Sequence, residues 1–454
     1  MSRTIKWLLF AILLATLSER EARASTVTAT SCNVSDVQTA INAAKDGDTV
    51  IIPNGSCSWS SGISTSKQIT VQGQSVGGVT ITDVAGPATL LSFTIGGSFH
   101  TTIANLRFMP GTGTGNYIGL QGTGLPPLMH DVYFNVPNFQ LQHAVVWGVQ
   151  GGVIWNMVDE STQNLGGACG TQVGSDSGNI LVKPPGNTWD DPSTMGALDV
   201  KGDKNLYIED STFSYVGQAP DGDDNSRIVI RHSNIIASSG LTHGTQGYIG
   251  ARHVELYDNQ YTYPAGQFRA LSRYFWLRGG TLVVTGNNIQ TINAGSCYPN
   301  KSSLMVIVEV VRWNDAGHGC CTGNQCFHQA GTGSNGSSGN SLLSTSQLPY
   351  DTYQIADPVY VWNNAGTGAG SSHYSTNDVD PAQDNCHIIN PATGQEWSTA
   401  DVYKSGRDYF YDDSQSATSG AKPGWVRYTY PHPLRGSSST TGPAAPTNLN
   451  VTVQ

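Results

Sequence analysis

Between residues 205 and 289 one alternation of apolar and polar positions is written four times, as NLYIEDSTF, RIVIRHSNI, HVELYDNQY and TLVVTGNNI. Leu206, Ile228, Val254 and Leu282 fall in one column of this alignment, and Ile208, Ile230, Leu256 and Val284 in the next. Phe213, Ile235, Tyr261 and Ile289 close the unit, and the steps between units are 22, 26 and 28 residues. Period-two alternation marks strands with one face in a core. A β repeat of this length cannot bury its apolar face alone and must stack on its neighbours. The pattern predicts a parallel β-helix with a polar turn at Ser211, Ser233, Asn259 and Asn287. The residues that lengthen some turns are expected to enter at one point of the repeat and gather on one flank.

Weaker copies of the pattern predict further rungs at 79–82, 90–95, 128–134 and 153–158, and a last strong strand at 304–313. Before them, Val37, Ile41 and Ala44 share a helical face, with Ser35 or Asp36 placed to cap it and Gly47 to end it. Such a helix would cover the open end of the solenoid. Residues 164–195, rich in Gly, Pro and Asp, read as a long binding loop. Residues 317–436 lose the rhythm and read as an irregular region packed on the solenoid. Residues 437–454 read as a Ser/Thr/Pro linker and the start of a fibronectin type III-like module.

Composition narrows the class. Charged residues make up 12% and glycines number 53, which fits a β-rich exported chain and not a disordered one. Residues 1–24 read as a secretory signal: Arg3 and Lys6, then an apolar run at 7–17 too short to span a bilayer, then Ala22-Arg23-Ala24. Removing its four basic and two acidic side chains takes the net charge from −10 to −12. That balance argues against nucleic acid as a partner. An extracellular or periplasmic monomer with no membrane span is expected. The eight Cys all follow the signal, and their even number predicts disulfides, with Cys32–Cys57 stapling the N-terminal cap to the first rung. The cluster HGCCTGNQCFH at 318–328 has metal-ligand residue types at spacings that fit no zinc pattern.

The opening AIN-AA-DGDTVIIPNG (40–55), ITVQGQS (69–75), TTIANLRF (101–108) and the four units resemble the pectin-lyase-like superfamily. The resemblance spans roughly residues 34–311 and implies a single-stranded, right-handed parallel β-helix. It also implies a lyase, hydrolase or epimerase acting on polysaccharides, often acidic ones; fold alone does not choose among them.

Candidate chemistry sits in the turns. Asp221, Asp223 and Asp224 precede the second unit, His243 the third, and Arg269 and Arg273 the fourth. Residues 227–278 hold six Arg (227, 231, 252, 269, 273, 278) and no Lys, against Glu255 and Asp258, a local sum of +4. Such a cationic strip suits carboxylate or sulfate groups. In β-elimination on a uronate, the resemblance makes Arg252 or His243 the base and Arg273 the carboxylate clamp. Arg227, Arg269, Tyr215 and Tyr248 would hold sugar, and the three Asp would offer oxygens to Ca²⁺. Trp276 is a further stacking candidate.

Hydrolysis is the alternative, since GDD (222–224) and HG (243–244) echo polygalacturonases. The upstream Asn-x-Asp is replaced by Thr194-Met195-Gly196, Asp203 lies in another register, and no Arg-x-Lys follows near Arg278. A non-catalytic glycan-binding or adhesin-type solenoid is the other alternative. Structural roles compete for several residues: Arg231 as the cross-strand partner of Glu209, His232 between Asp210 and Asp258, and His253 and Glu255 as outward surface groups.

Overall fold

A computed structural model describes residues 24–135, 144–149, 151–160, 180–183, 205–214, 216, 220–222, 226–236, 238–242, 251–262, 274–290, 306–309, 324–325, 330–334, 343–344, 354–367, 374–375, 405–412 and 420–436. Each coil contributes one strand to each of three parallel sheets. The first sheet has 12 strands, beginning at Thr26–Thr28 and ending at Tyr409–Asp412. The second has 10, from Ile63–Thr65 to Tyr374–Ser375, and the third has 10, from Gly55–Trp59 to Ala365–Thr367. Numbered along the chain within a coil, the path runs first sheet, third sheet, second sheet, and back to the first. The chain is a parallel β-helix.

The columns read from the sequence are the observed registers. Leu206, Ile228, Val254 and Leu282 are successive Cα partners, as are Ile208, Ile230, Leu256 and Val284. Phe213, Ile235, Tyr261 and Ile289 line up on the third sheet. All point into one apolar core, where Phe108, Tyr117 and Phe134 stack with centroids 5.4 to 6.0 Å apart.

From the strand Leu128–His130 onward the turn from first to third sheet is two residues and repeats its chemistry coil after coil. Its first residue is left-handed at Asn105, Asp131, Asn156, Asp210, His232, Asp258 and Asn363. Asn and Asp tolerate that conformation best among non-glycine residues. Its second residue forms a ladder: Ser233, Asn259 and Asn287 each donate their backbone N–H to Oδ1 of the next Asn, at 3.0, 3.0 and 3.1 Å. The Nδ2 atoms of Asn259 and Asn287 donate to the carbonyls of Ile230 and Leu256. Buried backbone groups that lie between strands are satisfied in this way.

The N-terminal helix α1 (Val34–Ala43) buries Val37, Ala40 and Ile41 against the first coil. Its cap differs from expectation: Asn33 is the N-cap and makes no side-chain cap bond, while Asp36 in the first turn accepts from Ser31. At the other end Lys67 Nζ donates to the carbonyls of Ile41, Asn42 and Ala44, a cation at the negative end of the helix. Cys32 and Cys57 form a disulfide, as expected.

The expected loop 164–195 contains a second-sheet strand, Ile180–Lys183, paired with Ala144–Trp147. Its run ILVK is short and flanked by Gly and Pro, so it was lost in the surrounding composition. The rest of that loop lies outside the described residues, as do the signal, the six Cys at 169, 297, 320, 321, 326 and 386, and the linker from 437.

Candidate functional site on the second sheet

The three outer faces of the solenoid differ. That of the first sheet is sealed. Tyr207, Glu209, Val229, Arg231, His253, Glu255, Tyr257 and Val283 point outward from it, yet all are buried. The C-terminal segment 420–436 lies across them, with Trp425, Tyr428 and Leu434 on the aromatic and aliphatic positions. Arg231 fastens it. Its guanidinium has five N–H groups, and all are used: Nε and Nη2 to Glu209 Oε1, Nη1 to Tyr257 Oη and the Tyr428 carbonyl, Nη2 also to the Thr429 carbonyl. Glu209 Oε2 accepts from Arg435 at 2.9 Å and from the backbone of His432 at 3.2 Å.

His432 extends this latch. Burial, with the Arg231 and Arg435 charges, pushes its imidazole from the usual 6.5 down to about 3. Neutral Nδ1 accepts the Leu434 N–H at 3.1 Å. The folded state therefore binds one proton fewer than the unfolded chain between these values, so this contribution is complete above pH 6.5 and is lost as pH falls toward 3. Thermal unfolding across that window should show a steeper acid loss for the wild type than for His432→Asn, which keeps an acceptor and cannot protonate.

Two residues expected at the site lie buried on this side of the solenoid. Arg252 is 1% exposed and pairs with Asp357 at 3.2 Å, which also pairs with Lys422 at 2.9 Å. Burial would raise the Asp357 carboxyl, but the charges of Lys422 and Arg252 outweigh it and hold it low. The Arg252 guanidinium faces Asp357 beneath the cover and not an open surface. Arg227 is 2% exposed, and its Cα partner His253 is fully buried against Glu255 at 3.0 Å. Burial, with Lys422, Arg227 and Arg252 nearby, drives the His253 imidazole well below its usual value. His253 and Glu255 are thus outward but not surface groups. Apolar residues at outward positions, Val229, Tyr257 and Val283, were the overlooked sign of a cover. Arg231 pairs with Glu209 as the sequence columns implied.

The third sheet presents a half-exposed cluster, with Arg107 4.2 Å over the Tyr133 ring. The Tyr133 hydroxyl donates to Glu160, and burial with that bond pushes it up to about 12.

The outer face of the second sheet is exposed in its N-terminal coils. Thr94 and Gln121 are Cα partners and both are exposed. The same register row continues through Trp147 and Lys183, and further on Arg278 stands beside Glu309. In the adjacent row Asp221 lies between Leu181 and Leu241, followed by Trp276 and Ile307. Asp221 is 4% exposed. Asp223, Asp224, His243, Tyr248, Arg269, Arg273 and Tyr215 lie outside the described residues.

In sequence they fall between described strands. Asp223 and Asp224 follow Asp221–Gly222, and His243 and Tyr248 follow Gly240–Thr242, on the trailing edge of the second sheet. Tyr215 precedes Asp221–Gly222, and Arg269 and Arg273 precede Phe275–Arg278, on its leading edge. The insertions therefore enter at two points of the repeat, not one. In these coils the first-to-third turn, held by the Asn ladder, stays at two residues, while both connections to the second sheet are longer. Among the described residues no group of three or more metal-ligating side chains occurs.

No family model matches the chain, and no curated protein matches it. Among solved structures it is similar to a PL6 alginate lyase in complex with a trisaccharide, at 15% identity over 60% of each chain, TM-score 0.33. It is similar to the Agl-KA catalytic domain at 12% identity over 64% of this chain and 56% of that one, TM-score 0.34. An alginate lyase from Paenibacillus sp. str. FPU-7 is similar at 14% over 58% of this chain and 94% of that one, TM-score 0.28. The chain spans about three fifths of the first of these.

Proposed function

We propose that this is an exported polysaccharide lyase of the pectin-lyase-like type, cleaving a uronate-containing glycan by β-elimination on the outer face of the second sheet. One observation carries the reading: the first-sheet face is covered by residues 420–436, and the sequence attaches His243, Asp223, Asp224, Arg269 and Arg273 to the connections that flank strands of the second sheet. A strand of this sheet is about 10 Å long for three residues, so groups on the two edges can reach one sugar ring from opposite sides.

The chemistry follows from that placement. Arg273 neutralises the C6 carboxylate, which acidifies C5–H. His243 takes that proton, the C5–H electrons form the C4=C5 double bond, the C4–O bond breaks, and the oxygen leaves on the departing chain with a proton taken from water. Arg269, Tyr215 and Tyr248 would hold neighbouring sugars. With Arg252 buried and paired, His243 is the remaining base. Asp221, Asp223 and Asp224 would offer hard-oxygen donors of the kind Ca²⁺ takes, and its charge would help hold the substrate carboxylate.

Purified full-length protein should be incubated with pectate, alginate, glycosaminoglycans and neutral glycans. A lyase gives an ultraviolet-absorbing unsaturated uronate on an acidic glycan. Reducing ends without absorbance would establish hydrolysis instead. Binding with neither product would make the chain a glycan-binding solenoid.

A further inference from the structure

We infer that the groove of the second sheet continues to the N-terminal coils and ends in a sugar-stacking subsite at Phe99 and Leu125. This rests on the lyase reading above and names an element of the same groove. Phe99 is 46% exposed and Leu125 37%, the two large apolar side chains exposed on this edge among the described residues. They sit in equivalent turns of neighbouring coils, after the strands Leu91–Ile95 and Ile118–Gly122, whose ends Ile95 and Gly122 are Cα partners. Both turns trail the open row of Thr94 and Gln121. An apolar rim beside a row of exposed polar groups matches a pyranose, which has an apolar ring face and polar edges.

The rim is built and not merely exposed. Gln68, 3% exposed, spends its whole amide on the Phe99 turn and its flank. Oε1 accepts from the N–H of Gly96 and Gly97 at 3.1 and 3.0 Å, and Nε2 donates to the carbonyls of Ser66 and Thr94. The backbone of Gln68 is held in turn by Asp46 Oδ1 and by the Gly47 N–H. One side of the Phe99 ring lies on Gly47, where a Cβ would stand 3.0 Å from Cε1 and where φ is +86°. His100 Nδ1 donates to the Pro126 carbonyl at 2.7 Å and ties the two turns together. A ring locked on one side and open on the other loses little freedom when a sugar stacks on it.

Five rungs separate the Leu91–Ile95 strand from Gly240–Thr242, the strand that His243 follows. That is about 24 Å, or roughly five sugars if each spans a rung. Only a long chain can occupy both ends.

The test measures affinity and kcat/KM of the full chain for oligouronates of increasing length, from the trimer upward. Phe99→Ala should weaken chains of about six units or more by about three- to tenfold and leave the trimer unchanged. Phe99→Trp should keep the long-chain advantage. Equal loss at every length, or no loss at any, overturns the subsite while leaving the lyase reading intact. A wild type that binds no oligouronate removes both. If sedimentation shows Phe99→Ala dissociating an oligomer with glycan affinity unchanged, the rim is a contact between copies and the inference fails.

Discussion

Replacing Arg231 by alanine will cost about 3–5 kcal/mol of stability, the range for one partner removed from a buried ion pair. Arg231 and Glu209 are both fully buried, and the guanidinium spends its donors on Glu209, Tyr257 and the backbone of the covering segment. Alanine would leave the Tyr428 and Thr429 carbonyls without those donors, and Glu209 with only Arg435 and the His432 N–H. Denaturant unfolding measures the cost. Limited proteolysis should show cleavage within 420–436 before the solenoid itself opens. Arg427→Ala is the control. Its pair with Asp258 is 2.6 Å long but Arg427 is 47% exposed, so its loss should stay under about 1 kcal/mol. Equal effects of the two substitutions would show that the segment is held by apolar packing alone.

The second large effect is catalytic. His243→Ala should lower turnover of the acidic glycan by about 10²–10⁴-fold, the usual contribution of a positioned base. Arg252→Ala tests the corrected assignment. It should weaken the seat of Asp357 and Lys422, and so lower the unfolding temperature, while kcat per folded molecule holds. If Arg252→Ala abolishes turnover in a protein that stays folded, Arg252 acts directly on the sugar and the buried pairing with Asp357 opens during the reaction.

The fold was legible because its determinants repeat. A column such as Leu206, Ile228, Val254 and Leu282 restates one packing requirement in each coil, and the Ser/Asn position restates one hydrogen-bond requirement. The Cys32–Cys57 bridge was legible for a related reason, since a cap must be tied to the rung it covers. What repetition does not encode is the fate of an outward face. The alternation places His253 and Glu255 outside in the same way whether water or another segment meets them. The cover comes from Tyr428, almost two hundred residues along the chain. The burial of Arg252 and Arg227 was illegible for that reason: cationic density on a strand counts the same whether it faces solvent or a buried Asp357. The braced turn at Phe99 was invisible because its support is spread over Gly47, Gln68 and Gly96, which share no local motif.

Hydrogen exchange of the full chain, with and without an acidic oligosaccharide, tests the seat of function most directly. Bound glycan should slow exchange in the second-sheet strands at 180–183, 240–242 and 275–278 and in the connections that carry His243 and Arg273. The sealed strand at 253–257 should be unchanged. Protection confined to the third-sheet face around Tyr133, or to residues 420–436, would contradict a substrate groove on the second sheet.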